Sequence, residues 1–241
     1  MKLIPFYLIL VLSSCFFYCS NVNQLKNKEI YLITFGDSIT LGIGRGIGEK
    51  ETYPYYLEKL LKESGKNIKI LRSGISGETA EGALNRIGDI INKKPDYVTI
   101  MYGTNDAFID TCYDEADISP RLPIEDYKKN IEKIVQLLLN KNIKPILMTP
   151  IIMGNFRCIN YGIYKKKGTN FKLKEYAEII REIAKKYNII LIDNYSIWKN
   201  LQNKNVNIDL WLIDGVHPNK DGNLFIAKTI FKVLRDNGLR K

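Results

Sequence analysis

Histidine is nearly absent from this chain: among 241 residues there is one, His217. The four cysteines, Cys15, Cys19, Cys112 and Cys158, are scattered rather than paired at ligand spacing. Together these scarcities exclude a zinc site of the usual nitrogen and sulfur donors, and no metal or other cofactor is expected. Acidic residues are also short, 26 against 36 lysines and arginines, for a formal net charge of +10. Arginine is sparse and no nucleic-acid-binding motif is present, so no nucleic-acid partner is expected. The excess is mostly lysine beside glutamate on helical faces, which reads as a solvated surface. Attraction to an anionic lipid or polymer is the alternative reading of the same charge. The glycine-dense stretch "GIGRGIG" (42–48) lacks a following Gly-Lys-Ser/Thr and misses G-x-G-x-x-G, so neither phosphate-binding loop is present. Instead it reads as a mobile loop beside the pocket. The α/β-hydrolase elbow G-x-S-x-G fails too, because Thr40 stands where its second glycine belongs.

Long apolar runs are likewise scarce. One spans Leu3 to Leu12, behind Lys2; it contains Pro5 and runs into Ser13 and Ser14. It is short for a membrane-spanning helix and reads as an export signal. Leu12-Ser13-Ser14-Cys15 resembles a bacterial lipoprotein signal, in which the lipidated cysteine, here Cys15, becomes the first residue. Cys19 fits that pattern poorly behind bulky Tyr18. The expected organisation is a signal peptide over 1–14, a polar tether over 15–28 and one domain over 29–241. The expected location is outside the cytoplasm, periplasmic or at the cell surface, with the N-terminus anchored in a membrane.

What is present beyond the tether is a regular alternation. Apolar strand-like runs at 29–36, 68–74, 96–103, 143–150 and 188–193 are separated by amphipathic helical patterns. One helix places Tyr127, Ile131, Ile134 and Leu138 on a single face, and another Tyr176, Ala177, Ile180, Ala184 and Tyr187. Parallel neighbours need crossover connections, so this pattern predicts an α/β fold with a five-stranded parallel sheet covered on both faces. The one long irregular stretch, 104–124, reads as a functional loop.

In an open parallel sheet, ligands bind beyond the carboxyl ends of the strands. Four polar, glycine-containing clusters fall there: Gly36-Asp37-Ser38, Ser73-Gly74-Ile75-Ser76-Gly77, Gly103-Thr104-Asn105-Asp106 and Asp214-Gly215-Val216-His217-Pro218. A serine hydroxyl is a weak nucleophile until a base takes its proton. His217 is the one histidine available, and Asp214, three residues earlier, is placed to orient its ring. The backbone N–H groups of Ser38 and Gly74 and the amide of Asn105 are candidate donors to a developing oxyanion, Gly74 because a missing side chain lets the backbone approach substrate. Asp37 and Asp106 read as structural acceptors of nearby backbone amides. Arg72 and Lys165–Lys167 read as solvated charge.

Taken in order, "GDSIT", "SGISGET", "GTND" and "DGVHPN" resemble the four sequence blocks of the SGNH (GDSL) hydrolase superfamily, and nearest of all its arylesterase, acyl-CoA thioesterase and lysophospholipase branch. The resemblance implies a flavodoxin-like three-layer α/β/α fold and metal-independent ester hydrolysis. Carried over, Ser38 would be the nucleophile, His217 the base and Asp214 its partner, with Ser38, Gly74 and Asn105 forming the oxyanion hole. Two positions depart from the family's habit: Arg72 stands where many members have asparagine, and Ile39 follows the serine in place of leucine.

Three functions fit these observations: an extracytoplasmic esterase for small acyl groups such as acetyl on glycans, a lysophospholipase or thioesterase for long acyl chains, and a non-catalytic binding lipoprotein. The expected partner is a small-molecule, glycan or lipid ester. Cys112 and Cys158 lie in loops after the third and fourth strands, which are neighbours in the order 2-1-3-4-5. In an oxidising compartment they are placed either to form a disulfide or to remain free buried thiols.

Overall fold

The computed structural model describes residues 29–110 and 118–239. The expected signal peptide, tether and lipidation site at Cys15 lie outside the described residues, as does Cys112. Five strands form one sheet: β1 (Ile30–Gly36), β2 (Ile68–Gly74), β3 (Tyr97–Met101), β4 (Lys144–Met148) and β5 (Ile190–Ile192). Their order is β2-β1-β3-β4-β5 and every pairing is parallel, as the alternating pattern predicts. The three central runs are buried nearly throughout, because a parallel sheet is covered on both faces.

Among the described residues eight helices alternate with the strands: α1 (Ser38–Leu41), α2 (Tyr53–Glu63), α3 (Ala80–Asn92), α4 (Ile124–Leu139), α5 (Gly162–Lys167), α6 (Phe171–Tyr187), α7 (Asn194–Asn203) and α8 (Lys220–Asn237). Helices α2 and α8 pack on each other, while α4 packs on both α3 and α6, making the outer layers of an α/β/α sandwich. Tyr127, Ile131, Ile134 and Leu138 of α4 are fully buried. Asn219 caps α8 by accepting from the N–H groups of Asp221 and Gly222, and Gly238 closes its other end at φ 68°. Among the described residues no helix is long and apolar enough to cross a membrane.

A smaller apolar cluster sits above the carboxyl edge of the sheet. Ile109, Phe156, Cys158, Ile163 and Tyr164 pack together there, which ties the loops after β3 and β4 to α5. Cys158 is fully buried and disulfide-bonded.

Candidate active site

Ser38 enters the site through a tight turn. Strand β1 ends at Gly36, and Asp37 caps α1 by accepting from Ile39 N–H at 2.9 Å, which leaves Ser38 as the first helical residue. A side chain at Gly36 would place its Cβ 2.1 Å from Thr40 Oγ1. At Gly74 the Cβ would fall 2.1 Å from the backbone nitrogen of Leu41. Without a side chain there, α1 lies against the end of β2. Ile75 N–H donates to the Gly36 carbonyl at 3.1 Å and fastens the same junction.

Behind the junction, Arg86 reaches from α3. It donates to Glu78, to the hydroxyl and carbonyl of Ser73 and to Tyr102 Oη, and its guanidinium stacks over Phe35 at 4.3 Å. Burial raises the Tyr102 phenol well above its ordinary range, so it stays protonated and donates to Glu78 at 2.7 Å. This network locks the ends of β1, β2 and β3 together. Nothing in the sequence marks it beyond single polar residues on apolar elements.

His217 arrives from the loop before α8. Asp214 Oδ1 accepts from Val216 N–H at 3.1 Å and from His217 N–H at 2.8 Å, folding the segment back on itself. Gly215 holds φ 78°, and its carbonyl accepts from Gly154 N–H at 2.8 Å, so the loop after β4 supports this turn. The His217 ring then lies with Nδ1 2.8 Å from Asp214 Oδ2 and Nε2 2.9 Å from Ser38 Oγ. A carboxylate only accepts, so Nδ1 carries the proton and Nε2 is left to accept from the serine hydroxyl. Burial alone would raise the Asp214 carboxyl, but the backbone and ring N–H groups of His217 and the Val216 amide hold it below its usual value. Residues 179 positions apart are thus brought into one hydrogen-bonded line.

Asn105 sits in the turn after β3. Asp106, fully buried, accepts from Gly103 N–H at 2.9 Å and Ala80 N–H at 2.7 Å, pinning that turn to the start of α3. Asp37 and Asp106 therefore serve backbone amides, as expected. Burial pushes their carboxyls up, Asp37 to about 7 and Asp106 to about 6. The Asn105 amide nitrogen donates one proton to the Glu78 carbonyl at 3.0 Å, and its oxygen accepts from Arg121 at 3.3 Å. A primary amide has two N–H donors, so one remains for another acceptor. Arg121 is itself gripped by both oxygens of Asp110, at 2.8 and 2.6 Å, and lies over Phe108.

The glycine-dense loop stands over the same place. Gly44 and Ile47 exchange two backbone hydrogen bonds of 3.0 and 2.9 Å, and the turn between them presents Arg45. Arg45 Nε lies 3.3 Å from Asp214 Oδ2. Sequence reasoning missed this contact; one arginine among glycines was its single signal. Arg72, the departure noted above, pairs with Glu49 and is turned away to that contact. Two spaces flank His217. One, of about 10 Å³, is bounded by Ser38, Ile39, Ile43, Arg45 and Pro218. The other, of about 350 Å³, is open and contains Asn105, Phe108, Arg121, Phe156 and Arg157.

Residues 34–224 match the model of the GDSL-like lipase/acylhydrolase family. The chain is 32% identical over 180 residues to the uncharacterized lipoprotein YqeF of Bacillus subtilis, covering 70% of this chain and 71% of that one. It is 28% identical over 216 residues to an acetylxylan esterase of Geobacillus stearothermophilus, covering 83% and 92%. Solved catalytic mutants of that esterase replace a serine, an aspartate or a histidine by alanine. The crystal structure of the acetyl xylan esterase AlAXEase superposes with a TM-score of 0.70 at 26% identity, covering 85% of this chain and all of that one. Sequence match and shared architecture agree over most of the chain: it belongs to the GDSL-like lipase/acylhydrolase family, the SGNH hydrolases, and is an ester-bond hydrolase.

Proposed function

We propose that the protein is a serine esterase for short acyl groups, acetyl foremost, working outside the cytoplasm from a lipid-anchored N-terminus. The carrying observation is the line Ser38–His217–Asp214, with 2.9 and 2.8 Å contacts. Ser38 Oγ attacks the ester carbonyl carbon as its proton passes to His217 Nε2, and Asp214 steadies the imidazolium. The negative oxygen so formed is met by the N–H groups of Ser38 and Gly74 and by the free N–H of Asn105. Collapse expels the alcohol, which takes the proton from His217, and leaves an acyl group on Ser38. Water, deprotonated by His217, then attacks the acyl carbon and releases the acid and free Ser38.

Short acyl groups, acetyl foremost, are favoured by relatives named for acetylxylan. Export and anchoring rest on Leu12-Ser13-Ser14-Cys15 and on a relative named as a lipoprotein. A series of p-nitrophenyl esters from acetate to laurate tests the reading: acetate to butyrate should be fastest, and a preference for laurate would turn it into a long-chain lysophospholipase or thioesterase. Ser38→Ala should lower kcat by about 10³-fold or more. Activity that survives that substitution excludes Ser38 as nucleophile.

A further inference from the structure

We infer that the larger cleft beside His217 is a subsite for an anionic group, and that the preferred esters carry a carboxylate or phosphate on their alcohol portion. This rests on the esterase reading above and extends it to the other half of the substrate. Three loops, far apart in the chain, each send an arginine to the cleft: Arg45 from the turn after α1, Arg121 from the segment before α4 and Arg157 from the loop after β4. Two carboxylates face them. Asp214 is occupied by His217 and Arg45. Asp110 is occupied by two bonds from Arg121. Arg121 bonding holds the Asp110 carboxyl below its usual range, with Arg157 adding at longer range.

Among the described residues that leaves one positive charge in excess. Arg157 is exposed at the cleft and makes no ion pair among the described residues. The walls beside it are apolar: Phe156 is buried, and Phe108 meets it edge to face at 5.9 Å. An apolar wall with a guanidinium at its rim fits a ring or chain that ends in an anion. The cleft of about 350 Å³ contains both Asn105 and His217, the group that protonates the departing alcohol. With a short acyl group on Ser38, most of that cleft falls to the alcohol portion.

The test compares kcat/KM for 4-carboxyphenyl acetate with that for its neutral isostere 4-carbamoylphenyl acetate, in wild type and in Arg157 variants. The difference in leaving group cancels when the ratio is compared between enzymes. An exposed charge pair is worth little, so Arg157→Gln should lower the ratio by about three- to five-fold. Arg157→Glu should lower it further, Arg157→Lys should keep most of it, and raised salt should shrink the wild-type value. A third ester, 4-acetoxyphenyl phosphate, distinguishes a phosphate preference from a carboxylate one. Equal ratios in wild type, Arg157→Gln and Arg157→Glu overturn the subsite. Calorimetric binding of the same esters to Ser38→Ala, with and without Arg157→Gln, reads the charge preference without turnover. Hydrolysis without discrimination would leave the esterase reading standing and remove the subsite; discrimination in binding without hydrolysis would do the reverse.

Discussion

Arg45 Nε lies 3.3 Å from Asp214 Oδ2, the same oxygen that faces His217 Nδ1 at 2.8 Å. One carboxylate therefore serves two partners from opposite ends of the chain. The partners are unequal. His217 meets both carboxylate oxygens with its ring and one of them with its backbone N–H, whereas Arg45 makes one longer contact from a side chain that is 47% exposed. Arg45→Ala should consequently lower kcat on a neutral acetate ester by no more than about five-fold, the worth of an exposed ion pair. Asp214→Asn should cost far more, because it disturbs the ring itself. Steady-state kinetics on the two variants decides; an equal loss would make Arg45 an essential partner of Asp214.

Asn105 is held on two sides, and its role depends on that hold. Asn105→Ala should reduce kcat by about 10²–10³ with KM little changed, since an oxyanion donor acts chiefly in the transition state. Arg121→Ala should have a smaller effect of the same kind, through a loosened Asn105 amide, and Arg121→Lys should restore part of it. A rise in KM alone for Asn105→Ala would make it an ordinary substrate contact.

Asp37 gives a pH signature in stability. Its carboxyl titrates near 3.8 when free and at about 7 when buried in the fold. The folded chain thus retains a proton that the unfolded chain has released, and the stability this brings is complete below 3.8 and lost as the pH rises through about 7. Asp37→Asn keeps an acceptor for Ile39 N–H and removes the titration. Urea midpoints across pH 4 to 8 should show the variant gaining on wild type as pH rises through that window. Parallel profiles would mean that Asp37 is ionised at little cost.

We propose that Cys112 is the disulfide partner of Cys158. Cys158 is the one cysteine among the described residues and is disulfide-bonded, so its partner lies outside them. Cys112 is in the loop that carries Asn105, and the chain-entropy view of a loop of this length gives roughly 4 kcal/mol, with strain subtracting. Thiol counting on denatured, unreduced protein should find neither cysteine reactive, and peptide mapping should recover the pair. Two reactive thiols from Cys112 and Cys158 would refute it.

Much of this molecule was legible without coordinates. The strand runs are short and apolar because a covered parallel sheet demands it, and the helices repeat their apolar residues every three to four positions because one face is buried. The parallel pairing of the strands and the edge where ligands bind follow from that alternation, and the order of the strands from the resemblance to a flavodoxin-like family. Ser38, Asp214 and His217 were legible because each lies in a short block whose chemistry is local: a turn after a strand, and an aspartate three residues from the only histidine.

The tertiary structure alone decided what surrounds them. Gly74 shows the difference: the nearest obstacle to a Cβ there is Leu41, brought in by another element, and no local pattern shows that contact. Arg86 braces the strand ends through contacts with four separate segments, and no spacing in the chain announces it. Arg45, Arg121 and Arg157 are exposed residues of irregular loops, where no periodicity marks which way a side chain is sent. Local pattern reports what a residue does for its own turn of chain. The charge and the size of a cleft come from which loops the crossovers bring together, and that is settled only when the whole sheet has closed its core.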